Sequence, residues 1–302
     1  MTKYILMIIS VLLASLNSLI LRKFKNRTFK TPGDSFFFNG GMSIIWTLIM
    51  TVWFLSSGEL KISGLAILFG AIYGVILCLF LYCKNQAISE GPVSLTSLIG
   101  NCAFIPATWF GVIYANESVN AFQIIGMSLM VIALFLCINP KKSDEPLTAK
   151  WFISCLAFFV AGGFIGMFYK VFGKSDAASE VNTMMLSASV VSCILFFVVG
   201  LIVNKAGSHP APKIHKDALP YVLLAGITGC VYIRLNVSLS ALIPSAIFFP
   251  VANGGIVVIT TLAGALAFRE KLNRIQLCGI LLGLVALIVT GCGDVIGKLL
   301  FR

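Results

Sequence analysis

The sequence predicts an all-α integral membrane protein, with ten transmembrane helices arranged as two inverted five-helix repeats around a central cavity. Three observations carry this expectation. The 302-residue chain is 59% hydrophobic and 11% charged, with mean hydropathy +1.00, which is far more apolar than a soluble domain. Ten apolar runs approach the roughly 20 residues that a helix needs to cross a hydrocarbon core of about 30 Å. A polar motif also recurs at matching places in the two halves of the chain.

The runs extend from Tyr4 to Leu21, Phe36 to Leu55, Gly64 to Cys83, Val93 to Tyr114, Ala121 to Ile138, Trp151 to Tyr169, Asn182 to Asn204, Leu219 to Leu239, Ser245 to Phe268 and Ile275 to Cys292. The first is read as a retained helix rather than a cleaved leader, because only Lys3 precedes it while Arg22, Lys23, Lys25, Arg27 and Lys30 follow it. The fourth and ninth are interrupted by Pro106 and Pro250, residues that remove a helical N–H and free carbonyls. All 11 Asp and Glu residues fall between the runs or at their edges, as the cost of a carboxylate in hydrocarbon requires. Nearly all the cations do the same, the exception being Arg234 in the eighth run.

A net charge of +11 in a soluble chain would point to nucleic acid. Here the basic residues sit in short connectors, where they face headgroups and set topology, and no nucleic-acid partner is expected. Cys78, Cys83, Cys102, Cys137, Cys155, Cys193, Cys230, Cys278 and Cys292 have no paired metal spacing and read as free, buried thiols. His209 and His215 share a polar loop and read as solvated. No metal site and no cofactor are expected.

The repeat is carried by Glu117, Asn120, Gln123, Gly126 and Leu129, which align without a gap on Glu270, Asn273, Gln276, Gly279 and Leu282. Upstream, Pro92 precedes Asn101 as Pro244 precedes Asn253, and one inserted residue reconciles the two registers. Apolar helices resemble one another by chance, but recurring Glu, Asn and Gln argue for duplication. Each repeat then holds five spans, and an odd number turns the second copy upside down. The expected organisation is residues 1–140 for the first repeat, 141–150 for a cytoplasmic linker, 151–294 for the second repeat and 295–302 for a tail.

With its E-x-[VL]-N-x-x-Q-x-x-G signature opening the fifth and tenth spans, the chain resembles members of the drug/metabolite transporter superfamily that carry two EamA-type repeats. The resemblance covers nearly the whole chain. It implies a central cavity lined mainly by the first, third, fourth, sixth, eighth and ninth spans. Related small multidrug transporters use a glutamate in their first helix; this first span has Ala14, Ser15, Asn17 and Ser18 but no acid, so that coupling does not carry over. Many relatives place an arginine near the start of the second span, where this chain has Asn39.

Charge counting orients the bundle. With the termini outside, 15 Lys and Arg residues fall on the cytoplasmic side and six outside: Lys3, Lys61, Lys170, Lys174, Lys298 and Arg302. The positive-inside rule therefore places both termini outside. Superfamily members more often resemble a termini-inside arrangement, so analogy and charge disagree.

A transport site needs polar groups at mid-depth on helices that can shift. Arg234 is the sharpest candidate, expected to face the cavity and meet an anionic part of the solute; its alternative is to snorkel or cap carbonyls. Asn101 and Asn253 hold equivalent repeat positions on the proline-bearing spans. Asn236 follows Arg234 by two residues, about 200° round a helix, so the two diverge and one is structural. Tyr82 and Lys84 correspond to Arg234 and Asn236 in the other repeat. Asn17, Asn39 and Tyr169 complete the set, each also explicable as an interhelical hydrogen bond. The GxxxG pairs Gly70/Gly74, Gly162/Gly166 and Gly279/Gly283 read as close packing, the last also fitting a dimer.

The resulting expectation is a secondary transporter, an exporter or exchanger of a small metabolite or drug-like solute, in the plasma membrane of a bacterium. Its expected partners are the solute, the bilayer and, as a candidate, a coupling ion, and the chain is a monomer or homodimer. There is no GxxxxGK[ST] loop for ATP. An intramembrane enzyme lacks an embedded His, Asp or Glu, and a noncatalytic scaffold or assembly partner is the remaining alternative.

Overall fold

The computed structural model is all-helical and describes residues 2–28, 31–56, 62–90, 93–137, 148–210, 216–268 and 273–300. In order, the helices are α1 (Thr2–Thr28), α2 (Pro32–Ser56), α3 (Gly64–Glu90), α4 (Val93–Asn101), α5 (Phe104–Ala115), α6 (Ala121–Cys137), α7 (Ala149–Gly173), α8 (Val181–Ala206), α9 (Leu219–Leu242), α10 (Ser245–Phe249), α11 (Gly255–Phe268) and α12 (Arg274–Leu300). A π-helical turn, Pro250–Gly254, joins α10 to α11. Lys30, Lys61, Pro92, Lys141, Lys142, Lys213, His215, Arg269, Glu270, Lys271 and Arg302, with most of the 141–150 linker, lie outside the described residues.

Nine segments among the described residues are long and apolar enough to cross a membrane. The tenth, α6, is apolar but 17 residues long, about 25 Å at the helical rise. Its neighbours assign it as a crossing: it runs antiparallel along α12, with Gly126 against Thr290, Ala133 near Gly283 and Cys137 against Gly279. The outer surface is apolar, with Ile113 73% and Leu266 75% exposed, as a hydrocarbon environment demands. The interior instead gathers aromatics, small residues and hydroxyls: Tyr73, Phe104, Phe172, Phe248, Ser192, Ser240 and Thr96 are all buried.

Hydrogen bonds give the direction of each packed pair. α1 runs antiparallel to α9, since Lys3 Nζ donates to the Leu242 carbonyl while Asn17 Nδ2 donates to the Ala225 carbonyl. α2 runs antiparallel to α8, with Gly33 N donating to Asn204 Oδ1 at one end and Thr47 bonded to Ser189 further along. α3 runs antiparallel to α7, with Tyr73 opposite Tyr169 and Glu90 opposite Ser154. The pairs α2/α8 and α6/α12 are second with seventh and fifth with tenth in crossing order, so matching spans of the two halves meet head to tail. Ten alternating crossings satisfy every one of these directions.

The glycine pairs sit in close internal contacts. A Cβ on Gly70 would meet backbone and side chain of Met184 and Ser187 on α8; one on Gly162 would lie 2.8 Å from Ala103 Cβ; one on Gly279 would lie 2.7 Å from Cys137 N. In the tenth-span pair Gly279 therefore faces α6, and Gly283 faces Val258 of α11 and, beyond it, Ala133 of α6, all within the same chain. Cys278 and Cys292 are exposed and Cys102 and Cys193 half-buried, a correction to the reading of all nine as buried.

Two further expectations are corrected. The fourth span breaks at Cys102–Ala103, before Pro106 rather than at it, because the proline has no N–H for the Cys102 carbonyl, which instead accepts from Ile105 N at 2.9 Å. Lys170, assigned to an outer connector from sequence, lies inside α7 and is 3% exposed. Its ammonium has partners there, which removes the need to reach water.

Gly279→Ala is expected to cost about 1–3 kcal/mol through collision with the α6 backbone. Gly291→Ala, whose Cβ would enter open space, is expected to stay within about 0.5 kcal/mol. Thermal unfolding in detergent, in parallel, checks the contrast.

Candidate functional site: a two-chambered central cavity

A cavity of about 290 Å³ lies between α3, α4, α5, α7, α9 and the α10–π–α11 segment. A second, of about 160 Å³, lies between α1, α2, α3, α8 and α9. Leu77, Phe80, Lys84, Tyr232 and Ile233 border both, so the two are chambers of one central space. The second and seventh spans thus also contribute, through Asn39, Ser43, Trp46 and Phe196, which extends the lining implied by the family resemblance.

The larger chamber lies toward the end of the bundle where α3 finishes and α4 and α7 begin. Ile88 and Thr96 border it there, and Phe248 and Tyr169 border its inner end. That rim is built by side chains that tie three helices: Trp151 Nε1 donates to Thr96 Oγ1 at 3.0 Å, and Thr96 in turn meets the Ala87 carbonyl. Beside it the Glu90 carboxylate accepts from Ser154 Oγ at 2.6 Å and pairs with Lys150 Nζ at 3.0 Å. The serine bond, then the lysine, holds its carboxyl below the ordinary glutamate range. A depressed carboxylate contributes stability above its unfolded value of about 4.3 and loses it as pH falls through the lower folded value. This corner is therefore intact at neutral pH.

The other end is sealed. Tyr73 stacks on Phe168 at 5.0 Å, Phe69 packs edge-on to Phe172 at 5.5 Å, and the Tyr73 and Tyr169 hydroxyls bond at 2.8 Å. Beyond this plug, Lys170 Nζ donates to Glu117 Oε1 at 2.9 Å and to the Ile243 carbonyl at 3.0 Å. Glu117 Oε2 accepts the backbone N–H of Ser245, the first residue of α10. A carboxylate at a helix N-terminus is favourably placed. This ion pair thereby joins α7, the α5–α6 turn and the α9–α10 turn.

Lys84, Asn101, Tyr169, Asn236 and Asn253 line the larger chamber, and Asn17, Asn39 and again Lys84 line the smaller. Asn17 is bonded to Ala225 and Thr228 across to α9, and Asn39 Nδ2 donates to the Ser35 carbonyl at 2.6 Å. Asn101 and Asn253 match in detail: each Nδ2 donates to the carbonyl four residues back, Ser97 at 2.7 Å and Phe249 at 3.0 Å. The lining repeats at a spacing of 152 residues, in Phe80/Tyr232, Lys84/Asn236, Gly100/Ala252 and Asn101/Asn253. Sequence reading missed Tyr73, Tyr232, Glu117 and Lys170. Glu117 was signalled by the repeated motif, whereas Lys170, adjoining the end of an apolar run, carried no local signal of burial.

Arg234 and Tyr82 line neither chamber. Tyr82 is 39% exposed, with its ring 6.4 Å from Phe36. Arg234 lies over the Trp53 ring at 4.2 Å, and its Nε and Nη2 donate to Asn182 Oδ1 at 3.1 and 3.0 Å. The angular step of two residues explains this: Asn236 takes the cavity side, its Oδ1 accepting from Ser10 at 2.7 Å, and Arg234 turns toward α2 and α8. Asn182 opens α8 and Trp53 is near the end of α2, so the guanidinium is close to a membrane surface, where its cost falls. Arg234→Gln is expected to destabilise by about 1–3 kcal/mol, with Trp53→Ala shifting the melting temperature in the same direction. Solute flux through the folded Arg234→Gln protein is expected to persist.

Three comparisons bear on this arrangement. Residues 1–139 match the family model described as the EamA-like transporter family. An uncharacterized protein of Haemophilus influenzae is 25% identical over 173 residues, which is 57% of this chain and 57% of that relative, so the chain spans little more than half its length. A solved crystal structure of a protein superposes with TM-score 0.78 over 100% of this chain and 99% of that one; at 12% identity the likeness is one of fold. The first 139 of the 302 residues are thus similar to the EamA-like transporter family, and the ten crossings of the fold agree with that likeness.

Proposed function

We propose that this chain is a secondary transporter that moves a small metabolite or drug-like solute by alternating access, as an exporter or exchanger, with the two-chambered cavity as its solute site. The carrying observation is a space lined by polar groups, reaching toward one end of the bundle, with the aromatic plug and the Lys170–Glu117 pair at the other. Separating the aromatic plug, and the Lys170–Glu117 pair from the Ile243 carbonyl and Ser245 N–H that it holds, would open the far end. Residues 1–140 and 151–294 act as two inverted halves, supported by the head-to-tail meeting of α2 with α8 and α6 with α12. Lys84, Asn101, Asn236, Asn253 and Tyr169 supply the polar contacts of the larger chamber, with Asn17 and Asn39 in the smaller one.

The positive-inside count puts the rim near Glu90 and Lys150 in the cytoplasm and the sealed end outside, in the plasma membrane of a bacterium. Moving Lys170 from connector to span leaves that bias standing. The proposed state is then inward-facing.

Purified protein in proteoliposomes is expected to give saturable counterflow of a solute drawn from a metabolite pool that also raises its melting temperature, as a ligand of the folded state must. Asn101→Leu and Asn253→Leu are each expected to weaken that solute by roughly tenfold, the loss of one hydrogen bond to a buried partner. A folded protein that carries nothing from the pool sinks the proposal.

The latch is tested separately. Glu117→Gln is expected to speed amide exchange in the first turn of α10 by about tenfold, roughly 1.4 kcal/mol of local opening, while exchange at the Glu90 corner is unchanged. Mass-spectrometric exchange in detergent reads both peptides at once.

A further inference from the structure

The charge and hydrogen-bonding polarity of the larger chamber define a class of solute, and we infer that it is a compact hydroxylated organic anion carrying one negative charge, with its anionic head at Lys84. This rests on the transporter reading.

The argument begins with which amide atoms remain available. A backbone carbonyl can only accept, so the Ser97 and Phe249 carbonyls fix the NH2 groups of Asn101 and Asn253 against their own helices. Each Oδ1 is thereby turned away from that carbonyl and, with the second N–H of the amide, is left to the chamber that both residues line; no described residue donates to either oxygen. Asn236 has the opposite polarity. Its Oδ1 is engaged by Ser10 Oγ, which leaves Nδ2 as its donor. Lys84, its counterpart 152 residues earlier, is also a donor and carries charge. The chamber thus offers a donor pair, Lys84 and Asn236, and an acceptor pair, Asn101 and Asn253, each pair drawn from the two repeats.

Only one member of the donor pair is cationic, so the repeat symmetry is broken at that position. A solute with one anionic group is held with that group toward α3. No Asp or Glu lines either chamber among the described residues, so a solute ammonium would share the space with Lys84 and meet only neutral acceptors. Hydroxyls need no more than an acceptor, and the two Oδ1 atoms supply it. Phe80, Phe158, Phe248 and Phe249 complete the walls, suiting a solute with an apolar or ring-shaped body. A volume of about 290 Å³ keeps that body small, at the lower end of ordinary ligand sites.

The experiment compares three probes of nearly equal size: phenyllactate, its neutral primary amide phenyllactamide, and zwitterionic phenylalanine. Melting-temperature shifts and proteoliposome counterflow are read for wild type, for Lys84→Met and for the double variant Lys84→Asn/Asn236→Lys, which moves the charge to the related position. Wild type is expected to favour phenyllactate over each of the other two by about tenfold or more. Lys84→Met is expected to lose the preference for acid over amide, and the double variant to regain it. The inference is overturned if wild type takes acid and amide alike, if phenylalanine is preferred, or if a folded Lys84→Met retains the preference for the acid. It is equally overturned if none of the three is taken while a metabolite pool still yields saturable counterflow, in which case the transporter reading stands. Absence of any counterflow from the pool removes the transporter reading itself.

Discussion

Hydrocarbon gives a helix no reason to bury its leucines, and that constraint shapes everything inside this bundle. With apolar side chains equally at ease on the outside, cohesion must come from close backbone approach and from polar groups that lipid cannot satisfy. The structure uses both. Gly70 and Gly74 bring α3 against α8, Gly126 and Gly279 bring α6 against α12, and hydroxyls of Ser43, Thr47, Ser189 and Ser192 fill the α2–α8 seam. The mid-membrane contacts are numerous, neutral and individually weak, a combination that holds helices together while allowing them to slide.

Charge is used more sparingly and nearer the ends. Arg234 settles on Trp53 and Asn182, Glu90 on Ser154 and Lys150, and Lys170 on Glu117. The Lys170–Glu117 pair differs from the others because its carboxylate also holds the N-terminus of α10. That helix leads directly into Pro250 and the π-helical turn that presents Asn253 to the cavity. A contact at the sealed end and a polar group of the cavity therefore lie on one continuous segment.

Much of this was legible in the sequence, for identifiable reasons. Span positions follow from hydropathy, because an apolar run of about 20 residues has few other uses. The inverted arrangement follows from recurrence of Glu117, Asn120 and Gln123 beside an odd number of spans. Asn101 and Asn253 stood out as paired polar residues on broken helices, and the structure brings both to one chamber. Legibility failed where side-chain direction decides. Arg234 was conspicuous as a charge, yet two residues of helix turn separate it from Asn236, and hydropathy says nothing of rotation about an axis. Lys170 was hidden by the opposite error: adjoining the end of an apolar run it reads as a connector, and only its partners, 53 and 73 residues away, reveal its burial.

The proposed cycle asks what opening the sealed end would cost. A buried ion pair contributes little net stability, because desolvation offsets most of its attraction, whereas removing one partner leaves a charge stranded. Parting Lys170 from Glu117 by widening the bundle is a different event: water enters with the separation and rehydrates both charges. The aromatic plug then sets much of the remaining cost, since Tyr73, Phe168 and Phe172 lose packing that water does not replace. A solute bound at mid-depth lowers this cost only if it contacts the open state better than the closed one. Tyr169 is suited to that role, being both a lining residue of the chamber and a hydroxyl partner of Tyr73. In the proposed cycle, a solute competing for the Tyr169 hydroxyl would loosen the plug from within, so that selection of the solute and release of the seal would be one exchange of hydrogen bonds.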